Sequence, residues 1–233
     1  MKRQQKGFTL VEIAIVLVIV GLLLGGILKG QEMIIQAKIK NAITDFSGVS
    51  AAYFGYLDRY RAIPGDDSGT ATRWPSTPGA VAGDGSRILS GRYDQSCASV
   101  GATGTGQDES CLWWAHLRQA GFVAGSGATQ PTNAFAGFIG VQQGIGTAVN
   151  TAATTAPSNA LTVFSGLITC SGNLPDKVSI ALDVQMDDGN PGNGTLRAVG
   201  PAAGNSPVDA TTVVPATNYV ETGTNTYTLC RSF

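Results

Sequence analysis

The sequence predicts an α+β protein, with one long N-terminal helix packed on a C-terminal globular head that contains β-structure. An almost unbroken apolar stretch runs from Phe8 to Leu28, and no proline interrupts the chain before Pro64. From Lys29 onward the stretch turns amphipathic. Ile35, Ile39, Ala42, Phe46, Val49, Tyr53, Tyr56 and Tyr60 recur at alternating steps of four and three, the stripe of a helix that buries one face. About 170 residues remain after this helix, enough for one compact domain with its own core. The expected organisation is a basic leader over 1–7, a spine helix over 8–62 with its apolar part at 8–28, and a head over 63–233.

The apolar stretch is about 21 residues long and covers a bilayer at roughly 1.5 Å per residue. Lys2, Arg3 and Lys6 precede it without an acid, which predicts a cytoplasmic N-terminus and an exported remainder. An ordinary secretory signal places its small-residue cleavage site after the apolar core, whereas Gly7 stands before it. One carboxylate, Glu12, sits inside the stretch. A charged side chain in hydrocarbon costs about 3 kcal/mol on insertion scales, so an acid retained there points to function and needs a partner.

The run Lys6-Gly7-Phe8-Thr9-Leu10-Val11-Glu12, followed by Ile13 to Val20, closely resembles the class III signal of type IV pilins and type II secretion pseudopilins. That resemblance implies cleavage between Gly7 and Phe8 by a prepilin peptidase, then N-methylation of Phe8. It also implies that Glu12 neutralises the Phe8 ammonium of a neighbouring subunit during assembly. The fold it implies has a spine helix packed on a head with an antiparallel β-sheet. The partners it implies are further copies of the chain in a helical filament, the peptidase/methylase, and an inner-membrane assembly machinery.

Gly21, Gly25, Gly26 and Gly30 weaken the spine by close to 1 kcal/mol each relative to alanine. They serve either close helix packing, as small residues do in membranes, or local melting when a subunit enters a fibre. Many type IV pilins carry a helix-breaking proline here; this chain relies on glycine alone.

Beyond the spine, Ile63 to Asp67 reads as a turn and Ala82 to Gly85 as a loop. Glu109 to Gly121 reads as a short helix with Trp113, Leu117 and Ala120 on one face and Gly121 as its C-terminal stop. Leu161 to Phe164 and Gly166 to Cys170 read as strands. Pro175 to Gln185 is ambiguous: Val178, Ile180, Leu182, Val184 and Met186 alternate as in a strand, yet Pro175 and Asp176 suit a helical first turn. The segments PGDD, GDG, WWAHLRQAGF and DVQMDDGNPGNG together resemble a subgroup of larger bacterial pilin-like proteins, and that resemblance implies a helix there.

Cys97, Cys111, Cys170 and Cys230 all lie beyond the apolar stretch and none has CxxC spacing, so in an oxidising compartment disulfides are expected before a metal site. Of three pairings, Cys97–Cys111 is favoured because it closes a short Gly/Thr/Ser loop. Cys170–Cys230 then ties back the C-terminus.

Asp187, Asp188, Asn190 and Asn193 surround a glycine-rich turn and offer oxygen ligands to a hard cation such as calcium. The pattern lacks the closing acid of an EF-hand, and a turn in which Asp and Asn accept backbone hydrogen bonds is favoured. Asp66, Asp67 and Asp84 are read in the same way. His116 is the only histidine, and no GxSxG, HExxH or phosphate-binding loop accompanies it, so a structural histidine and a non-enzymatic chain are expected. A net charge of −1 supplies no basic field for nucleic acid. No charged residue or histidine occurs between Arg118 and Asp176, which suits either packing against further copies or a β-rich core. The expected function is that of a filament subunit. A type II secretion pseudopilin is the alternative, and a membrane-anchored periplasmic domain is disfavoured because an anchor gains nothing from Glu12.

Overall fold

The computed structural model describes residues 9–75, 81–95, 97, 108–145, 164–201 and 218–233. They fall into two compact units, Met1–Lys40 and Asn41–Phe233. A long apolar helix followed by an antiparallel four-stranded sheet gives the α+β, pilin-like architecture.

Helix α1 (Leu10–Tyr60) is continuous over 51 residues. From Leu10 to Ile35 its apolar side chains are exposed, Leu10, Leu22 and Leu28 among them. By length and composition the helix is long and apolar enough to cross a membrane. The helix runs unbroken through Gly21, Gly25, Gly26 and Gly30, where a Cβ would meet nothing within 4 Å. Ile35, placed by periodicity on the buried stripe, is 46% exposed. Periodicity marks a face, but burial requires a partner element over it.

In the second unit the stripe is buried at Ala42, Phe46, Val49 and Tyr56. Val49, Ala52 and Tyr56 pack with Leu89, Trp113, Trp114, Leu117, Ile139 and Val141 into the main core. Tyr53 stacks on Trp113 with centroids 5.4 Å apart, and Phe233 closes against both rings. A four-residue helix α2 (Thr70–Arg73) follows the turn after α1.

Helix α3 (Glu109–Gln119) carries the two tryptophans. Its end is a Schellman motif, with the Phe122 amide donating to Leu117 O at 2.9 Å and the Gly121 amide to Arg118 O at 3.1 Å. Gly121 has φ +80°, a conformation glycine adopts without a Cβ clash.

Strands β1 (Ile139–Ile145), β2 (Ser165–Pro175), β3 (Leu196–Val199) and β4 (Thr226–Ser232) form a sheet in the order β1-β2-β4-β3, antiparallel throughout. β1 and β2 both lie in the charge-free segment, and Ile139, Val141, Ile168 and Leu174 are buried, as a β-rich core requires. Leu161, Thr162 and Val163 lie outside the described residues. Phe164, read from sequence as strand, precedes β2 in irregular backbone and packs with Tyr93, Ile168 and Val199. The ambiguous segment is helix α4 (Asp176–Met186). Its alternating apolar pattern does not prevail: Val178 and Leu182, four residues apart, are buried while Val184 is 62% exposed.

Candidate functional site: the helix N-terminus and the acidic loops of the head

Gly7 and Phe8 lie outside the described residues. The first described residues show how Glu12 is held. Thr9 precedes α1 at the cap position. Its amide and hydroxyl both donate to Glu12 Oε2 at 2.8 Å, while the Glu12 amide donates to Thr9 Oγ1 at 3.3 Å. This reciprocal pairing is a capping box, which satisfies backbone donors that a helix start leaves open. The Thr9-x-x-Glu12 spacing carries that signal in the sequence; reading Glu12 for its charge alone missed it.

Residues 2–28 match the family model for the prokaryotic N-terminal methylation motif. This is the prepilin-type signal of type IV pilins and pseudopilins. The match covers Gly7, Phe8, Thr9 and Glu12 and ends at Leu28. It implies processing by a prepilin peptidase, and with the apolar helix it fits anchoring in a membrane before assembly. No curated protein and no solved structure matches the chain significantly.

The head is fastened by two disulfides. Cys97 is bonded to Cys111 at the start of α3, and Cys170 of β2 to Cys230 of β4, its direct cross-strand neighbour. Free cysteines are absent.

The turn after α4 uses its acids on the backbone. Asp187 Oδ2 accepts from the Leu196 amide at 2.9 Å, Asp188 Oδ1 from Asn190 at 2.8 Å, and Asn190 Oδ1 from Gly192 at 3.0 Å. Asn193 donates its amide to Asn190 O at 3.2 Å. Asp183, which the sequence reading did not include, brings an oxygen within 4.8 Å of oxygens of Asp187 and Asp188. It is itself occupied, accepting the Tyr219 hydroxyl at 2.6 Å and the Gly189 amide at 3.2 Å.

The loops after α1 are more deeply buried. Asp67 Oδ2 accepts the Tyr56 hydroxyl at 2.6 Å and pairs with Arg73 Nη1 at 2.7 Å. Burial works to raise the Asp67 carboxyl, but the bonds from Arg73, Tyr56 and Gly69 outweigh it and hold the group below its ordinary range. His116 is fully buried. Its Nδ1 accepts the Gly65 amide at 2.8 Å, and its Nε2 donates to Val81 O at 2.8 Å, which fixes the tautomer. Burial pushes the imidazole down to about 4, so it is neutral and clamps the 64–67 turn to the loop at 81. Both ring nitrogens are spent on backbone groups, which leaves neither for general acid–base work. Glu109, a site residue the sequence reading passed over, is buried with its carboxylate pointing back at these loops. It accepts the Asp84 amide at 3.1 Å and the Ser90 amide at 2.9 Å.

Proposed function

We propose that this chain is the structural subunit of a type IV pilus-like extracellular filament. It is cut between Gly7 and Phe8, N-methylated at Phe8, and assembled with copies of itself through the N-terminal helix. The observation that supports this most is the methylation motif running directly into a continuous helix whose stretch from Leu10 to Leu28 exposes its apolar side chains and retains one carboxylate, Glu12. Exposed apolar surface of that extent needs lipid before assembly and neighbouring helices after it. In the water-poor core of a fibre an unpaired Glu12 is costly, and the Phe8 ammonium of the next subunit is its nearest available cation. That pairing sets axial register, since only a correctly staggered helix brings the two charges together.

The head supports a structural role. Its lone histidine and most of its buried acids are consumed in holding loops. For the Asp187–Asn193 turn we infer a scaffolding role in place of calcium binding.

The same signal serves pseudopilins, whose assemblies stay in the periplasm. Shearing cells and identifying the released protein by mass spectrometry separates the two. A pilin is recovered in the sheared fibres with methylated Phe8 at its N-terminus. Recovery only from membranes supports the pseudopilin, and a mature chain that still begins at Met1 overturns both.

A further inference from the structure

Three carboxylates meet where the loops after α1 face the start of α3. One oxygen each of Asp66, Asp84 and Glu109 lies within 4.8 Å of the other two. Asp66 and Glu109 are each 3% exposed, while Asp84 is open to solvent. A separate observation concerns Asp66 alone. Its Oδ2 accepts the Arg87 amide at 2.8 Å, but its Oδ1 is sealed from solvent and meets no N–H or hydroxyl donor among the described residues. Its carboxyl lies against that of Asp84, so the two face each other without a cation or share a proton. Buried polar atoms in native proteins are nearly always satisfied by protein, water or an ion, and an orphaned carboxylate oxygen beside two further carboxylates is costly. No salt bridge to Asp66, Asp84 or Glu109 is formed among the described residues.

We propose that Asp66, Asp84 and Glu109 form a calcium site that ties the 64–67 turn and the 81–85 loop to the N-terminus of α3. The donor set is oxygen only, which suits a hard cation and not zinc or copper. Two oxygens bound to one calcium at roughly 2.3–2.6 Å reach up to about 5 Å apart, which covers the spacing of the triad. Magnesium demands a near-ideal octahedron at roughly 2.1 Å and dehydrates reluctantly, which suits loop-borne carboxylates less well than calcium. The exposed side of Asp84 leaves room for water ligands and a path of entry.

The cradle stands without the ion. The Gly85 amide donates to Asp66 O at 3.0 Å and the Gly83 amide to Asp67 O at 3.1 Å. A Cβ at Gly83 would run into the backbone of Gly65 and Asp66, so the two loops approach as only glycine permits. Each Glu109 oxygen already accepts one backbone amide and keeps a second lone pair for a cation. The Asp183, Asp187 and Asp188 cluster differs on this point: none of its oxygens is a buried orphan. The site does not depend on the filament reading.

The test uses the full chain in detergent, with calcium alone as the probe. Adding calcium at about ten times a Kd of roughly 0.1–1 mM is expected to raise the melting temperature by roughly 3–6 °C over the chelated protein. Asp84→Ala, at an exposed position, removes a ligand carboxylate outright and is expected to abolish the shift while remaining folded. Asp187→Asn combined with Asp188→Asn is expected to retain it. The proposal is overturned if calcium produces no shift in the wild type, if the shift survives in Asp84→Ala, or if magnesium gives an equal shift at the same concentration. A shift lost only in the Asp187/Asp188 variant would overturn it too, by placing the ion after α4.

Discussion

Thr9 and Glu12 cap each other: one carboxylate oxygen of Glu12 takes both the amide and the hydroxyl of Thr9, and the Thr9 hydroxyl takes the Glu12 amide. The acid inside the apolar stretch therefore has a partner within its own chain before any neighbour arrives. It stabilises the first turn of α1 and holds its carboxylate at the N-terminal end of the helix. Thr9→Ala removes the hydroxyl side of the box and is expected to cost about 1 kcal/mol, localised to the first turn. Hydrogen exchange in detergent reads this as faster exchange at Val11 and Glu12, with the head unchanged. Unchanged exchange there would mean that the box contributes nothing to the helix start.

Tyr56→Phe tests the joint between α1 and the acidic loop. The hydroxyl lost is fully buried and donates to a charged Asp67 at 2.6 Å. Hydrogen bonds to charged groups contribute about 1.5–3 kcal/mol, and denaturant unfolding should report a loss of that size. Asp67 keeps Arg73, so the variant still folds. A loss below about 0.5 kcal/mol would show that the joint is carried by ring packing alone.

His116 gives the head a pH dependence of defined sign. Its folded value of about 4 lies below the ordinary 6.5, so the neutral imidazole stabilises the fold above pH 6.5. That contribution, on the order of 3 kcal/mol, is lost as pH falls through 4. Glu109 acts in the opposite sense. Burial pushes it up to about 6, so its contribution is full below 4.5 and fades as pH rises through 6. An NMR titration of the single imidazole is expected to show a midpoint near 4 in the folded protein. A midpoint near 6.5 would contradict the clamp.

The two disulfides differ in what they close. Cys170–Cys230 spans a sequence separation of 60 and Cys97–Cys111 one of 14. In the loop-entropy account the first contributes about 4 kcal/mol and the second about 3. Replacing each pair by alanine should lower the melting temperature in that order, and peptide mapping of the wild type should recover only these two pairs. A Cys111–Cys170 peptide would refute the assignment.

The local signals in the sequence were the readable ones. A stripe at steps of four and three and the absence of proline to Pro64 announce α1; Gly121 after an amphipathic turn announces the end of α3. The short cysteine loop suggests its own closure. Glu109 was not legible, because what makes it notable is burial against Asp66 and Asp84, which only the fold brings near. His116 gives no sequence sign that its ring bonds Gly65 and Val81, since both partners are backbone groups without side-chain identity. Ile35 misled because a helical face continues past the elements that cover it.

The central claim is that Glu12 acts in assembly through its charge, beyond its cap. Glu12→Gln separates the two roles, because glutamine serves at the same position of a capping box but carries no charge for the Phe8 ammonium. The decisive measurement is the yield of sheared filaments from Glu12→Gln cells beside wild type and Glu12→Ala, with cleavage after Gly7 checked in each by mass. Charge pairing predicts that both variants are processed, stay in the membrane as monomers, and give severely reduced filaments. Wild-type filament yield from Glu12→Gln would contradict it and leave Glu12 as a helix cap alone.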